Sequence, residues 1–378
     1  MPADAGLPAV PGSPWPAITP LPPGPEDQQH PEHKLPRLAP HDPFPLPEGG
    51  GSPDLRAFIQ ALEDTGRLTR VRERVDWRLG IGRWTRSRHK PLLFEDIREY
   101  SDQRIFTNGL IDGVCIALAL GLDAELPPSH LVTEARKRLR DPIPPKLVRG
   151  GPVMENVIPE SALELFQFPV PRWSEHDGGR YLGTWHLNIS KDPETGQRSA
   201  GMYRMKVLGP KQATVSAPRR SDLANHLARA EEKKTELPMA VVIGAPEPTV
   251  IAARAACPEG MDAFDLAGAL QQQPVELIDC GRLEVPANAE IVIEGFIHLE
   301  ARVEDGPYFT YSGQPKSNPQ AFLFEATRVL HRDQPIFRGS TLGRPGGEDY
   351  QVQTFLGQLK LLESQRSRWR RMVNSLFG

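Results

Sequence analysis

The sequence has few cysteines and no long apolar segment. Its 378 residues include three cysteines, Cys115, Cys257 and Cys280, and their wide spacing matches neither a disulfide framework nor a structural zinc site. No apolar run reaches the roughly 20 residues that cross a bilayer. The N-terminus lacks the basic and apolar regions of a secretory signal. We therefore expect a protein of the reducing cytoplasm with no membrane partner.

The chain also lacks a strong excess of either charge. Its 45 basic and 48 acidic residues give a formal net charge of -3, so no basic stripe is available for phosphates and we expect no nucleic-acid binding. With 39% hydrophobic and 25% charged residues, the composition is that of a globular protein. The length allows two domains of ordinary size.

Proline is abundant but unevenly placed. Residues 1–53 hold 16 of the 40 prolines, and because proline fixes φ and removes a backbone donor, they predict an extended, disordered tail. Order is expected to start with a helix capped by Ser52, with Pro53 in its first turn. Helical periodicity and short β-like runs at 68–75 and 91–97 then predict a small α/β unit over 54–125.

The next segment, 126–335, is rich in strand-like runs. The runs 182–189 and 200–208 flank an Asp-Pro-Glu-Thr-Gly turn and predict a hairpin with Arg204 on a strand. Residues 336–378 predict a linker followed by one long helix from Glu348. The fold class indicated is α/β (α+β), with flanking helices around a β-rich centre.

Several short stretches carry a family resemblance. Gly201-Met202-Tyr203-Arg204 follows the hairpin turn, and Glu304-Asp305-Gly306-Pro307-Tyr308 lies about a hundred residues later. With the order and spacing of Pro258-Glu259-Gly260, Ala267-Gly268-Ala269-Leu270 and the run 285–295, they make the chain similar to the UbiD-type decarboxylases. The similarity extends from about Asp54 to the C-terminal helix.

This resemblance implies a fold, a cofactor and an activity. Members of the family hold prenylated FMN in a split β-barrel and remove CO2 from a small unsaturated or aromatic carboxylic acid. By the same resemblance, Arg204 would orient the substrate carboxylate and Asp305 would handle the proton. The cofactor-binding positions it implies are Thr184, Ser199, Met202, Arg204, Arg220 and Arg254.

Other family positions hold residues that cannot do the expected chemistry. A second carboxylate of the family's triad aligns with Thr310, and the three metal-ligand positions align with Ser199, Arg220 and Ala263. Because Mg²⁺ or Mn²⁺ needs several hard oxygen ligands, we expect no divalent metal there. Two hypotheses follow. Either Arg220, together with Arg254, binds the cofactor phosphate directly, or the cofactor site is lost and the chain is a non-catalytic binding or assembly subunit.

Association with other chains is also expected. Family members continue beyond the last helix into a further α/β domain, whereas this sequence stops at Gly378. The apolar residues Leu356, Leu359, Leu362 and Trp369 recur along the predicted terminal helix. We therefore expect a homo-oligomer, or a second subunit that supplies the missing domain.

Overall fold

The computed structural model describes residues 53–255, 257, 261–309 and 314–360. Our expectations for the tail over 1–52, for Thr310 and for the helix beyond residue 360 lie outside these residues. The helices are α1 (Leu55–Asp64), α2 (Gly80–Ser87), α3 (Gly113–Ala119), α4 (Pro128–Arg138), α5 (Asp222–Lys233), α6 (Glu247–Arg254), α7 (Ala263–Gln271) and α8 (348–360).

The strands form the larger part of the fold. They are β1 (Thr69–Val71), β2 (Leu92–Phe94), β3 (Arg104–Thr107), β4 (Lys146–Val148), β5 (Asn156–Pro159), β6 (Tyr181–Gly183), β7 (His186–Lys191), β8 (Arg198–Gly201), β9 (Met205–Lys206), β10 (Gln212–Val215), β11 (Leu237–Ile243), β12 (Glu276–Asp279), β13 (Glu284–Pro286), β14 (Ile291–Phe309), β15 (Pro315–His331) and β16 (Ile336–Arg338).

The first helix begins later than the sequence suggested. Its N-cap is Asp54, whose carboxylate accepts a 2.8 Å hydrogen bond from the Ala57 backbone N–H. The prediction of Ser52 as the cap and Pro53 in the first turn was therefore wrong. A carboxylate caps as well as a hydroxyl, and Asp54 also accepts a 2.6 Å bond from Arg332, which ties the start of α1 to the end of β15.

A small sheet follows in the N-terminal half, with strand order β1-β2-β3-β16. Its last member, β16, pairs in parallel with β3, although residues 336–338 come more than 200 positions later in the chain. A segment that we assigned to a linker thus completes the N-terminal sheet. The domain boundaries at 125 and 335 stay a prediction.

The central sheet has the order β10-β15-β14-β11-β7-β8, with β5 paired to β15. Its long antiparallel pair, β14 and β15, runs from Ile291 opposite His331 to Phe309 opposite Pro315. The predicted hairpin is present, because β7 and β8 pair across the turn from Asn188 opposite Gly201 to Lys191 opposite Arg198. Together with the smaller sheets β13-β12-β4 and β6-β9, these elements confirm the predicted α/β class.

Strand β11, inside the central sheet, is buried on both faces. On β11, Ala240 and Val242 point into one apolar cluster with α1, α3, α6 and α7, while Met239, Val241 and Ile243 point into a second cluster. Successive side chains of β11 thus point to opposite faces of the sheet and pack into two different hydrophobic clusters. Within the described residues, no helix is both long and apolar enough to cross a membrane.

An ion cluster joins the two halves of the fold. The Arg338 guanidinium on β16 donates to Glu247 on α6 at 2.7 Å and to Glu348 on α8 at 2.6 Å and 3.0 Å. Glu247 also accepts from the Trp185 indole at 3.1 Å. All three charged residues are at most 1% exposed. Such a cluster is stable only while every member keeps its partners.

Candidate active site

The Gly-Met-Tyr-Arg segment is a break between two strands. Residues 202–204 separate β8 from β9 and have no strand structure, so the expectation that Arg204 lies on a strand was wrong. Side chains of β7 here form the hydrogen bonds that a neighbouring strand's backbone would otherwise form. Asn188 Oδ1 accepts from the Tyr203 N–H at 2.8 Å, and the His186 ring contacts the Tyr203 carbonyl at 3.0 Å. The break is therefore built into the sheet and is well supported.

Arg204 and Asp305, the two residues predicted to be catalytic, lie in contact. Arg204 Nε donates to Asp305 Oδ2 at 2.8 Å. The same oxygen accepts from the Ser216 hydroxyl at 2.6 Å, and Ser216 in turn accepts from the Asn318 amide at 3.1 Å. Asp305 is fully buried. Two side chains thus bond to this carboxylate, a third bonds to Ser216, and the carboxylate fixes the guanidinium.

Two tyrosines form the apolar side of this site. The Tyr308 ring lies 5.1 Å from Arg204 Cζ and 4.3 Å from the Tyr181 ring. The Tyr181 hydroxyl donates to the Pro307 carbonyl at 3.3 Å, and Lys206 Nζ donates to the Gly306 carbonyl at 3.2 Å. These bonds hold the 305–308 segment of β14 against β6 and β9.

A second group of predicted residues lies around α6. The Arg254 guanidinium lies 5.2 Å from the Trp185 ring, and its Nη1 is 3.3 Å from Met202 Sδ. Thr184 Oγ1 accepts from the Ser340 N–H at 3.0 Å, which leaves its own proton available to a ligand. Met202 and Arg204 are two positions apart, so the strand break connects this group with the Arg204–Asp305 pair.

The three family metal positions do not form a metal site. Ser199 donates its hydroxyl to Asp222 at 3.0 Å, Arg220 lies on an exposed loop, and Ala263 is the buried first residue of α7. An alcohol, a guanidinium and a methyl group are not a ligand set for a hard divalent cation. Within the part of the chain that the structure describes, no cluster of three or more His, Cys, Asp or Glu residues could hold a metal. These residues do not fit the divalent metal that the resemblance implies.

Sequence reasoning missed one buried acid near this site. Asp177 is 1% exposed, and the next residue, Gly178, donates its N–H to the Pro307 carbonyl at 2.8 Å. Burial raises the pKa of the Asp177 carboxyl to about 7, an effect that nearby Arg86 opposes. Burial and then the charge of Asp177 raise the pKa of the Tyr308 phenol. The run Asp-Gly-Gly between aromatic residues was the available sequence signal.

Polar atoms without partners gather around these residues. Among the described residues, Asp177 Oδ2, Asp305 Oδ1 and the Tyr308 hydroxyl have no hydrogen-bond partner although they are buried. Buried polar groups are normally satisfied, so several orphans in one place indicate a site built for a polar ligand or a proton.

Comparison with known proteins gives the family. A family model described as the 3-octaprenyl-4-hydroxybenzoate carboxy-lyase Rift-related domain matches residues 146–345, which is more than half of the chain. The chain belongs to the UbiD family. The N-terminal domain model of the same carboxy-lyase matches residues 59–135. The resemblance inferred from the short motifs is therefore confirmed.

Two curated relatives have names that state a decarboxylase activity. The chain is 32% identical over 314 residues to a phenolic acid decarboxylase of Bacillus subtilis, covering 79% of this chain and 66% of the relative. It is 32% identical over 333 residues to a pyrrole-2-carboxylic acid decarboxylase of Pseudomonas aeruginosa, covering 82% of this chain and 66% of the relative. The chain thus spans just under two thirds of the length of each.

Solved structures agree with this assignment. An evolved dimeric form of the UbiD-class enzyme HmfF from Pelotomaculum thermopropionicum, in complex with prFMN, superposes with a TM-score of 0.77 at 28% identity, covering 83% of this chain and 73% of that one. Vanillic acid decarboxylase from Sedimentibacter hydroxybenzoicus, in its closed form, superposes with a TM-score of 0.76 at 30% identity, covering 79% and 66%. The split-barrel architecture expected from the resemblance is confirmed.

Proposed function

We propose that this chain is a prenylated-FMN-dependent decarboxylase acting on a small unsaturated or aromatic carboxylic acid. Family membership and the activities of its relatives support this class of reaction. The observation that carries the proposal is Arg204. Its Nε is fixed by Asp305, and within the described residues we find no hydrogen bond from its two terminal nitrogens, so they can grip a substrate carboxylate.

The residues around Arg254 fit a flavin cofactor. A guanidinium beside the Trp185 indole and the Met202 thioether offers charge for a phosphate and a flat apolar surface for a ring system. We propose that the binding residues are those predicted from the resemblance: Thr184, Ser199, Met202, Arg204, Arg220 and Arg254. When bound, prenylated FMN supplies the electron sink that loss of CO2 requires.

The protein's own residues position the acid. Arg204 remains charged throughout the cycle and holds the carboxylate against the Tyr308 ring. Asp305 keeps the guanidinium in place through Oδ2, and handling of a proton by Asp305, as the resemblance implies, would use Oδ1. Because Asp305 already holds the Arg204 side chain in place, little conformational entropy is lost when the substrate binds. The arginine therefore contributes to catalysis by orienting the substrate.

The alternative of a non-catalytic binding or assembly subunit receives no support, since the curated relatives with named activities are decarboxylases. Association as a homo-oligomer, or with a second subunit, stays part of the proposal. An evolved form of the UbiD-class enzyme HmfF is dimeric. Location in the cytoplasm likewise stays a prediction.

The test begins with cofactor loading. The chain is expressed together with a flavin prenyltransferase and purified, and bound prenylated FMN is measured by absorbance and mass spectrometry. CO2 release is then followed with phenolic acids and pyrrole-2-carboxylate. We expect Arg204→Ala to keep the cofactor and lose activity. Arg72→Ala, at a side chain that is 79% exposed, is the matched control. Flavin-free, inactive wild-type protein would refute the proposal.

A further inference from the structure

Lys206 is a buried cation without a carboxylate partner. The residue is 8% exposed, and its Nζ donates to the Gly306 carbonyl at 3.2 Å. Among the described residues, we find no carboxylate in contact with this ammonium. The buried guanidinium of Arg338, in contrast, contacts the carboxylates of Glu247 and Glu348. A buried charge without a counter-ion destabilises a fold, so an ammonium in this position indicates that a ligand supplies the anion.

Lys206 lies beside Arg204, the residue proposed to hold the substrate. Arg204 Nε donates to Asp305 Oδ2 at 2.8 Å, and Lys206 donates to the carbonyl of the next residue, Gly306. Met205, between the two cations, is buried in the second apolar cluster, whereas both charged side chains extend to β14. Because consecutive Cα atoms are about 3.8 Å apart, the two cations flank one short stretch of backbone.

The charges of the two cations are balanced differently. Asp305 bonds to Arg204 and offsets its charge, so this pair is neutral as a whole. Burial raises the pKa of Asp177, the other buried carboxyl of the site, and Arg86 is the strongest charge that opposes this rise. The positive charge that remains without compensation at the 305–306 stretch is therefore that of Lys206.

The backbone of Lys206 is also fixed in place. Its N–H donates to Thr214 Oγ1 at 2.8 Å, and Thr214 is fully buried. Ser216, two residues further along the chain, donates to Asp305 at 2.6 Å. Strand β10 and the residue after it thus contact both Lys206 and Asp305. Because the cation is positioned before a ligand arrives, the entropic cost of binding an anion is reduced.

We propose that Lys206 supplies the positive charge that binds the substrate carboxylate at Arg204. The inference rests on the proposed decarboxylase function and adds a binding residue to it. Arg204 orients the carboxylate through its terminal nitrogens, and the Lys206 ammonium compensates the negative charge and offers its remaining N–H groups. Water screens such an attraction only weakly in a buried site. The affinity for an acid therefore depends on Lys206, and the affinity for a neutral analogue does not.

The experiment measures how Lys206→Met changes the binding of an acid and of its neutral amide. Pyrrole-2-carboxylate and pyrrole-2-carboxamide have nearly the same shape and differ in charge. With cofactor-loaded protein, we expect Lys206→Met to raise KM for the acid by roughly 10- to 100-fold, and to change the inhibition constant of the amide by less than about two-fold. Lys206→Arg keeps the charge and should recover most of the affinity. Lys146→Met, at a lysine whose side chain is 62% exposed, is the matched control and should keep both wild-type values.

Unfolding in urea separates this role from a structural one. Lys206→Met removes a buried charge without a counter-ion, so its urea midpoint should equal or exceed that of the wild type. If Lys206→Met does not fold, Lys206→Gln tests the same charge, because glutamine can keep the bond to Gly306. Active wild-type protein in which the variant leaves KM for the acid unchanged, or weakens acid and amide equally, would overturn this inference alone. Wild-type protein that releases no CO2 would overturn the proposed function as well.

Discussion

Asp177→Asn should make the protein more stable at alkaline pH. The carboxyl has a pKa of about 7 in the folded state, compared with its ordinary value of 3.8. Between these values the folded state binds more protons than the unfolded state, so stability falls as pH rises. Above pH 7 the full penalty of burying the charge is present. Asparagine is neutral at every pH and removes this penalty.

The magnitude follows from the shift. A rise of the pKa from 3.8 to about 7, at about 1.36 kcal/mol for each pH unit, gives a penalty of about 4 kcal/mol above pH 7. At pH 5 the penalty is less than half as large, because this pH lies only a little above the ordinary pKa of 3.8. The stability gain of the variant should therefore grow between pH 5 and pH 8. Relative to a total stability of roughly 5–15 kcal/mol, this is a large effect.

The assay is urea unfolding of the wild-type and variant apoproteins at four pH values from about 5 to 8. An unchanged slope m shows that a difference between the two proteins is a difference in stability. Asp54→Asn serves as a control of opposite sign, because Arg332 loses the carboxylate that it contacts at 2.6 Å. An Asp177→Asn protein that is less stable than the wild type at pH 8 would show that the charged carboxylate is a favourable partner of Arg86. The account of Asp177 as a neutral acid would then fail.

Three further predictions concern the ion cluster, the substrate and the cofactor. Arg338→Met should lower the free energy of unfolding by about 3–5 kcal/mol, because the buried carboxylates of Glu247 and Glu348 lose the cation that they share. Restoring neutrality with Glu247→Gln and Glu348→Gln in the same chain should recover part of the loss in urea unfolding. Arg204→Lys should lower kcat/KM by roughly 10- to 100-fold at unchanged cofactor content, since an ammonium cannot form the bidentate grip; equal kcat/KM would exclude that grip. Treatment with EDTA should leave the cofactor absorbance unchanged, whereas Arg254→Met should reduce it, and loss of cofactor to EDTA alone would contradict our interpretation of the metal positions.

Elements with a local signal could be predicted from the sequence. The β7–β8 hairpin followed from Asp-Pro-Glu-Thr-Gly. The long strands β14 and β15 have a weaker local signal in the sequence. Part of each strand is partly exposed, so apolar alternation fades there. Gly306-Pro307 inside β14 resembles a turn, because proline is rare within strands.

The site was only partly predictable for a different reason. The motifs identified Arg204 and Asp305, and these residues do lie in contact. Ser216 bonds to Asp305 and Asp177 acts on the pKa of Tyr308, yet no spacing rule connects residues that lie 12 to 128 positions apart in the sequence. Burial decides their chemistry. An aspartate with an ordinary pKa and one with a pKa of about 7 are identical in sequence, and only the folded surroundings separate them.

The break at 202–204 explains how one segment can serve two groups of residues. In a continuous strand, these backbone groups would form hydrogen bonds with a neighbouring strand. Here the side chains of Asn188 and His186 on β7 form hydrogen bonds with the backbone of Tyr203 instead. Residues 202–204 can thus leave the strand pairing while the Tyr203 N–H keeps a hydrogen-bond partner. Met202 then contacts Arg254, and Arg204 contacts Asp305. Because the same three residues position both arginines, a cofactor held at one and a carboxylate held at the other would have a fixed separation, and the positioning required for decarboxylation would come from the fold itself.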